Sequence, residues 1–365
     1  MVIRFGVIGL RRGRSFVRVC QVVGGATVTS LYDIDGERVT RESAKIDAKP
    51  FTDLDDFLNS DIDAVVIASP VPFHVEHAVA ALNAGKHVLS EVTACQSLDE
   101  AARLVEAAEK SNAFYMMAEN YRYLDEVELL KRLHDDGRFG ELYYGAGEYL
   151  HDCKDLWHDE DGSLTWRGKG LLGVYCTHSL GPLLYITGDR VETVSALAVP
   201  GGKFDPRVDH ATMHLMQMVT TSGVALRVRV DHTSPRPHNM AYYDLQGTTG
   251  AVELWRGAGD VNKAWFADEH EASRAGAGAE WHLLADQAVQ YIPDRLAAPP
   301  AAKEGGHGTS EYWLLGEFLA AIQGERPIPI DVYRALDYTL PGVLAIDSAA
   351  KKGMPLTVPD PRTFA

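Results

Sequence analysis

The sequence predicts an α/β chain of two domains. A doubly wound α/β domain is expected over residues 1–122, and an α+β domain with a large open, mostly antiparallel sheet over residues 123–365. Three observations predict this. At 365 residues the chain is long for one hydrophobic core and natural for two. Its first third alternates short, continuously apolar runs with amphipathic helical stretches, the pattern of a parallel sheet covered on both faces. Beyond residue 120 the runs lengthen and alternate apolar with polar, as strands with one face on a core do.

In chain order, strands are expected at residues 2–8, 26–32, 64–68, 87–90 and 114–117. Apolar residues at helical spacing occupy 16–23, and helices are expected at 74–83 and 98–110. A helix over 126–133 ends at Asp135-Asp136-Gly137 and opens the second domain. Strands follow at 142–150, 191–198, 212–220, 223–231, 240–245 and 250–255, with Gly247-Thr248-Thr249-Gly250 as a tight reversal between the last two. Residues 292–308, rich in Ala, Pro, Gly and Lys, read as a loop or mobile segment. Helical patterns at 311–322 and 332–348 finish the chain, the second expected to pack back on one of the domains. There is no internal repeat.

Composition narrows the function classes. Lys and Arg total 35 against 51 Asp and Glu, a net charge of -16, so neither a nucleic-acid nor an anionic membrane surface is expected as partner. Cys20, Cys95, Cys153 and Cys176 have no close pair, which fits reduced thiols rather than a disulfide scaffold. The N-terminus lacks a basic region followed by a long apolar stretch, and no run is long enough to span a bilayer. A cytoplasmic protein is the default expectation. Five histidines adjoin acids, in His151-Asp152, His158-Asp159, Asp209-His210, Asp231-His232 and Glu269-His270. Adjacent residues on a strand face opposite ways, so no metal site is expected from them.

Two segments carry chemistry. The loop Gly6-Val7-Ile8-Gly9-Leu10-Arg11-Arg12-Gly13-Arg14 follows the first strand. Gly9 suits the tight turn and Gly13 the helix contact of a Rossmann dinucleotide-binding domain, although Arg11 stands where a second glycine is usual. The second strand ends at Asp33, about 24 residues on, where an acid accepts hydrogen bonds from a ribose 2'-hydroxyl and repels a 2'-phosphate. NAD is therefore expected over NADP, with Arg11, Arg12 and Arg14 pulling the other way because they suit a phosphate. Further on, Gly173-Val174-Tyr175-Cys176-Thr177-His178 places a phenol and an imidazole three residues apart. If that segment opens a helix, both sit on one face and can work on one substrate hydroxyl. At the end of a long strand, His151 and Asp152 are candidates to bind another hydroxyl. Trp157 and Trp166 are candidates to stack on a sugar ring.

These residues carry a resemblance. Ala68-Ser69-Pro70 with His74, and Ala84-Gly85-Lys86-His87-Val88, resemble the turn along the cofactor and the next strand entry of the glucose-fructose oxidoreductase and inositol dehydrogenase (Gfo/Idh/MocA) family. Most dehydrogenases of that family carry Glu-Lys-Pro where this chain reads Glu91-Val92-Thr93, and a valine can neither donate a proton nor bond an alkoxide. A branch with Glu-Val-Pro, the NAD-dependent alpha-N-acetylgalactosaminidases and their relatives, is more similar. The similarity continues through Glu148-Tyr149-Leu150-His151-Asp152, the run from Tyr175 to Pro182, Thr233-Ser234-Pro235-Arg236-Pro237, Gly306-His307-Gly308 and the run from Pro327 to Tyr333. Thr93 and Cys176 depart from that branch, which has proline at both places.

The resemblance implies His178 and Tyr175 as the catalytic pair, and Gly9, Leu10, Arg11, Arg12, Gly13, Asp33, Ser69, Pro70, His74, Glu91 and Asn120 along NAD. It adds Arg236 and His307 to His151, Asp152 and Trp166 on the substrate side. Arg167 and Lys169 are the basic candidates to replace the missing lysine. The reading favoured by the family as a whole is an NAD-dependent oxidoreductase acting on a hydroxyl of a sugar, cyclitol or glycoside. The alternative is a redox-neutral glycoside hydrolase working through a 3-keto intermediate and elimination. A cofactor-binding protein without catalysis is the third. The open sheet needs cover on its far face, so a homodimer or homotetramer is expected.

Overall fold

The computed structural model describes residues 2–170, 172–269 and 280–364. The chain divides into two compact units. Unit 1 comprises Met1–Leu124, Pro299–Thr339 and Asp360–Ala365, and unit 2 comprises Asp125–Ala298 and Leu340–Pro359.

Unit 1 is built on six parallel strands. In chain order its elements are β1 (Ile3–Ile8), α1 (Arg14–Cys20), β2 (Ala26–Tyr32), α2 (Gly36–Ser43), β3 (Lys49–Phe51), α3 (Leu54–Leu58), β4 (Ala64–Ile67), α4 (His74–Asn83), β5 (His87–Ser90), α5 (Leu98–Lys110) and β6 (Tyr115–Met117). The strand order β3-β2-β1-β4-β5-β6 reverses direction of growth between β1 and β4, which leaves a crevice at the carboxyl ends of those strands. Every residue of β4 and nearly every residue of β1 is buried, as a strand covered on both faces requires. α5 opens on Ser97, whose side chain accepts from the Glu100 amide at 3.1 Å, and its mostly alanine and leucine inner face is buried.

The elements the sequence reading lacks here are short and polar. α2 carries Val39 as its one buried apolar residue, so apolar periodicity gives no signal, and its start is set instead by the Asp35 cap on Arg38. The reading also ends the first domain at 122, whereas residues 299–339 group with unit 1. The helix Ser310–Ile322 brings Phe318 to within 6.1 Å of Phe5, and the Met117 amide bonds the Ile330 carbonyl at 3.0 Å. Residues 292–308 are not a structureless loop. Pro293 and Pro300 each stand in the first turn of a short helical segment, Pro293–Leu296 and Pro300–Gly305, where a missing N–H costs nothing.

Unit 2 contains a nine-stranded open sheet among its described residues, in the order β14-β13-β12-β11-β7-β10-β9-β8-β15. After α6 (Asp125–Asp135) come β7 (Leu142–Leu150), the short α7 (Trp166–Lys169), α8 (Thr177–Thr187), β8 (Val191–Pro200), β9 (Ala211–Thr220), β10 (Ala225–Asp231), β11 (Asn239–Gly247), β12 (Gly250–Glu253), β13 (Lys263–Phe266), β14 (His282–Leu283) and β15 (Leu356–Thr357). Only β7 and β10 pair parallel; the other seven pairings are antiparallel. Gly247 and Gly250 close the β11–β12 hairpin as expected.

α8 covers the inner face of this sheet. Gly147 permits its approach, since a Cβ there would lie 2.8 Å from the Ser179 carbonyl oxygen. Along β9, Thr212, His214, Met216 and Met218 are buried, alternating with the more accessible Met213, Leu215, Gln217 and Val219 on the other face. That outer face is part apolar and part ionic: Leu197 is 60% exposed, and Glu148 lies 3.3 Å from Arg256 and 3.6 Å from Arg227. No described helix is long and apolar enough to cross a membrane.

Candidate active site

In unit 1 the two glycines of the first loop do what the spacing suggests. Gly9 has φ +84, and a Cβ would lie 2.6 Å from the Ala68 carbonyl oxygen. A Cβ on Gly13 would lie 2.6 Å from the Gly9 oxygen, so the loop folds tightly onto the start of α1. Asp33, nearly fully buried at the end of β2, accepts the Leu10 amide at 2.8 Å through Oδ2. Its Oδ1 accepts from the Asp35 amide at 3.0 Å and from Arg38 at 2.9 Å. A glycine cradle with main-chain amides and an adjoining buried carboxylate fits the pyrophosphate and ribose of a dinucleotide.

The arginines of that loop divide. Arg11 and Arg14 are exposed. Arg12 is occupied: its Nε bonds Glu91 at 2.5 Å, Nη1 bonds Ser15 at 3.1 Å and Nη2 bonds Glu311 at 3.2 Å. With its charge met by two carboxylates, the part of Arg12 left to meet an anion is its main chain. Glu311 is a hub. It shares a 2.5 Å hydrogen bond with His307 Nδ1 and accepts from Asn120 at 3.3 Å and Ser310 at 3.1 Å. Burial works to raise this carboxyl, but the hydrogen bond and charge of His307 and the charge of Arg12 prevail and hold it down to about 2.

His307, expected on the substrate side, is therefore in unit 1 with Arg12, Glu91 and Asn120. His74 is buried with one ring nitrogen 2.9 Å from the Ser69 carbonyl and the other 3.0 Å from the Thr93 carbonyl, and its neutral ring donates to one of the two, which braces the Ser69-Pro70 turn. Burial pushes its pKa down. Val92 is buried and apolar.

In unit 2 the end of the sheet carries a small recess. Tyr149 and His151 of the β7 end, Tyr175, and His232 after β10 line it together with Trp166 and Arg167 of α7. Tyr175 and His178 do not share one helix. Tyr175 has ψ 24 at a break in the 3-10 turn Leu172–Cys176, and α8 begins only at Thr177. The two rings nevertheless meet edge to face with centroids 5.2 Å apart. His178 also stacks on Tyr149 at 5.3 Å, and its carbonyl accepts from the Tyr243 hydroxyl at 2.5 Å, which fixes the start of α8 on the sheet. Tyr149 Oη is 3.0 Å from His151 Nδ1.

The imidazoles of this recess are poor cations. Burial pushes the His232 pKa down to about 3, and burial, then the neighbouring His238 and Arg167, lower that of His151. The guanidinium of Arg167 is centred 4.3 Å over the Trp166 ring. Trp157 is almost fully buried beside the recess, a core residue rather than an open stacking platform.

Other expected substrate residues are elsewhere. Asp152 is held by Lys154, with Nζ 2.6 Å from both carboxylate oxygens, so its charge is already met. Lys169 is exposed, and Arg236 is exposed with a hydrogen bond to the Arg256 carbonyl at 3.1 Å. Sequence reasoning missed Tyr149, His232 and His238, although Tyr149 stood in the quoted Glu148 to Asp152 motif and His232 in a pair weighed only as a metal ligand. Among the described residues no group of three or more His, Cys, Asp or Glu is arranged to hold a metal ion, and His270 lies outside those residues.

Known proteins bear on both units. Residues 3–119 match the Gfo/Idh/MocA model, described as an oxidoreductase family with an NAD-binding Rossmann fold, and residues 207–363 match the glycosyl hydrolase 109 C-terminal domain. The chain is a Gfo/Idh/MocA-fold, NAD-binding oxidoreductase related to the glycosyl hydrolase 109 proteins. It is similar over nearly its whole length to a glycosyl hydrolase family 109 protein of Streptomyces coelicolor, 28% identical over 98% of this chain and 83% of the relative. An alpha-N-acetylgalactosaminidase of Tannerella forsythia is 27% identical over 98% of this chain and 86% of its own length. Among solved structures, levoglucosan dehydrogenase with NADH and levoglucosan has a TM-score of 0.80 at 21% identity, covering 98% of this Gfo/Idh/MocA-fold chain and 100% of that one. The WlbA dehydrogenase of Bordetella pertussis with NADH and UDP-GlcNAcA has a TM-score of 0.78 at 20% identity, covering 98% of each. These likenesses show the fold.

Proposed function

We propose that this chain is a redox-neutral, NAD-dependent glycoside hydrolase. The observation that carries the reading is the match of residues 207–363, which include His232 of the recess, to a glycosyl hydrolase C-terminal domain. It favours hydrolysis over the net dehydrogenase expected from the wider family. The meeting of Tyr175 with His178 and Tyr149 supports an active enzyme rather than a protein that only binds cofactor.

When bound by unit 1, NAD supplies a reversible two-electron oxidation at C3 of the sugar. The chain's own groups handle the protons. The His178 imidazole and Tyr175 at its ring edge take the proton of the C3 hydroxyl. A ketone at C3 acidifies the C2 proton, so its loss expels the C1 substituent. Water then adds at C1, the C2 proton is restored and the C3 hydroxyl re-forms. The sum is glycoside plus water giving sugar plus alcohol, with the cofactor returned to its starting state. Arg167 over Trp166 orients the ring from the side of the recess. The test is release of aglycone from aryl glycosides without net NADH; net NADH with no aglycone marks a dehydrogenase.

A further inference from the structure

His232 lies on β10's exit, with its amide on the Thr212 carbonyl at 3.0 Å, so the sheet ladder fixes its place. It is 4% exposed and lines the recess. Its ring sits between two tyrosines, with centroids 5.6 Å from Tyr149 and 5.6 Å from Tyr175. Its Nε2 is buried without a hydrogen-bond partner. Thr212, at the facing position of β9, also leaves its hydroxyl unpartnered, so neither side chain serves the other. A buried polar atom left unpaired beside a pocket is costly, and a hydrogen-bonding ligand in the pocket relieves that cost.

We infer that His232 reads the sugar: its Nε2 forms a hydrogen bond with one neutral hydroxyl of the bound glycoside and sets which sugar the recess accepts. The depressed pKa is consistent with this, because a neutral imidazole offers a single donor and a single acceptor, and a hydroxyl can match either. A site built around such a pair rejects the analogue that lacks the hydroxyl, since the ring nitrogen is then left unpaired.

The inference rests on the hydrolase reading in that the ligand is a glycoside. It is tested by binding of methyl alpha-N-acetylgalactosaminide and its 3-, 4- and 6-deoxy forms to the full chain with NAD, followed by isothermal titration calorimetry. The wild type is expected to bind one deoxy sugar about tenfold or more weakly than the parent. His232→Leu should bind the parent weaker by a similar factor and no longer distinguish that deoxy sugar, and His232→Gln should restore part of the difference. Equal binding of all four sugars by the wild type overturns the inference whether or not the variants fold. A wild type that discriminates, with a folded His232→Leu that discriminates equally, overturns the role of His232 and leaves the hydrolase reading standing. A wild type that retains NAD but binds none of the sugars defeats both.

Discussion

At the scale of single residues the proposed chemistry rests on Tyr175 and His178. They meet at 5.2 Å and share Tyr149 as a neighbour, while Val92 offers no proton. Their loss should strike turnover and spare cofactor binding, because the glycine cradle and Asp33 belong to unit 1. His178→Ala and Tyr175→Phe are each expected to lower kcat by roughly 10²-fold or more, the range of a positioned acid or base, with NAD affinity unchanged by titration. Near-normal turnover in both variants would make the pair structural. Type and spacing alone left this pair open; the family resemblance singled it out, and the helix expected to carry both residues is broken at Tyr175. The partners of Asp152, Arg12 and His307 were not legible, because a charged residue's partner is chosen by three-dimensional proximity: Lys154 for Asp152, and Glu91 and Glu311 for Arg12.

At the scale of elements, the long apolar strands and helices of unit 1 were readable because burial on both faces leaves continuous apolar runs. The short α2, β3 and α3 escaped because capping by Asp35 and Asp53, not periodicity, starts both helices. The strand pair β9 and β10 carries a consequence for pH. His214 is held at about 4 and His232 at about 3, both chiefly by burial, against a usual value of 6.5. These rings are neutral in the fold and take up protons on unfolding once the pH is below 6.5, so their contribution is intact above 6.5 and falls as the pH drops toward 4 and 3. Each adds a slope of about 1.4 kcal/mol per pH unit in that window. The thermal midpoint is therefore expected to fall steadily from pH 6.5 to 4.5, and less steeply in His214→Phe; a midpoint flat across that range would contradict the burial of these rings.

At the scale of the whole molecule, the chain joins a cofactor-binding unit to a sheet whose far face is only partly polar. We propose that this face, with Leu197 and Val219 exposed beside the Glu148–Arg256 pair, mediates self-association. Sedimentation at micromolar concentration should give a dimer or tetramer mass, and a monomer would refute it. The central claim concerns the balance of the reaction. The most direct measurement incubates the chain with a panel of p-nitrophenyl glycosides and NAD while nitrophenol and NADH are followed together. The account predicts nitrophenol over many turnovers with NADH flat; NADH accumulating with oxidised glycoside and no nitrophenol would contradict it.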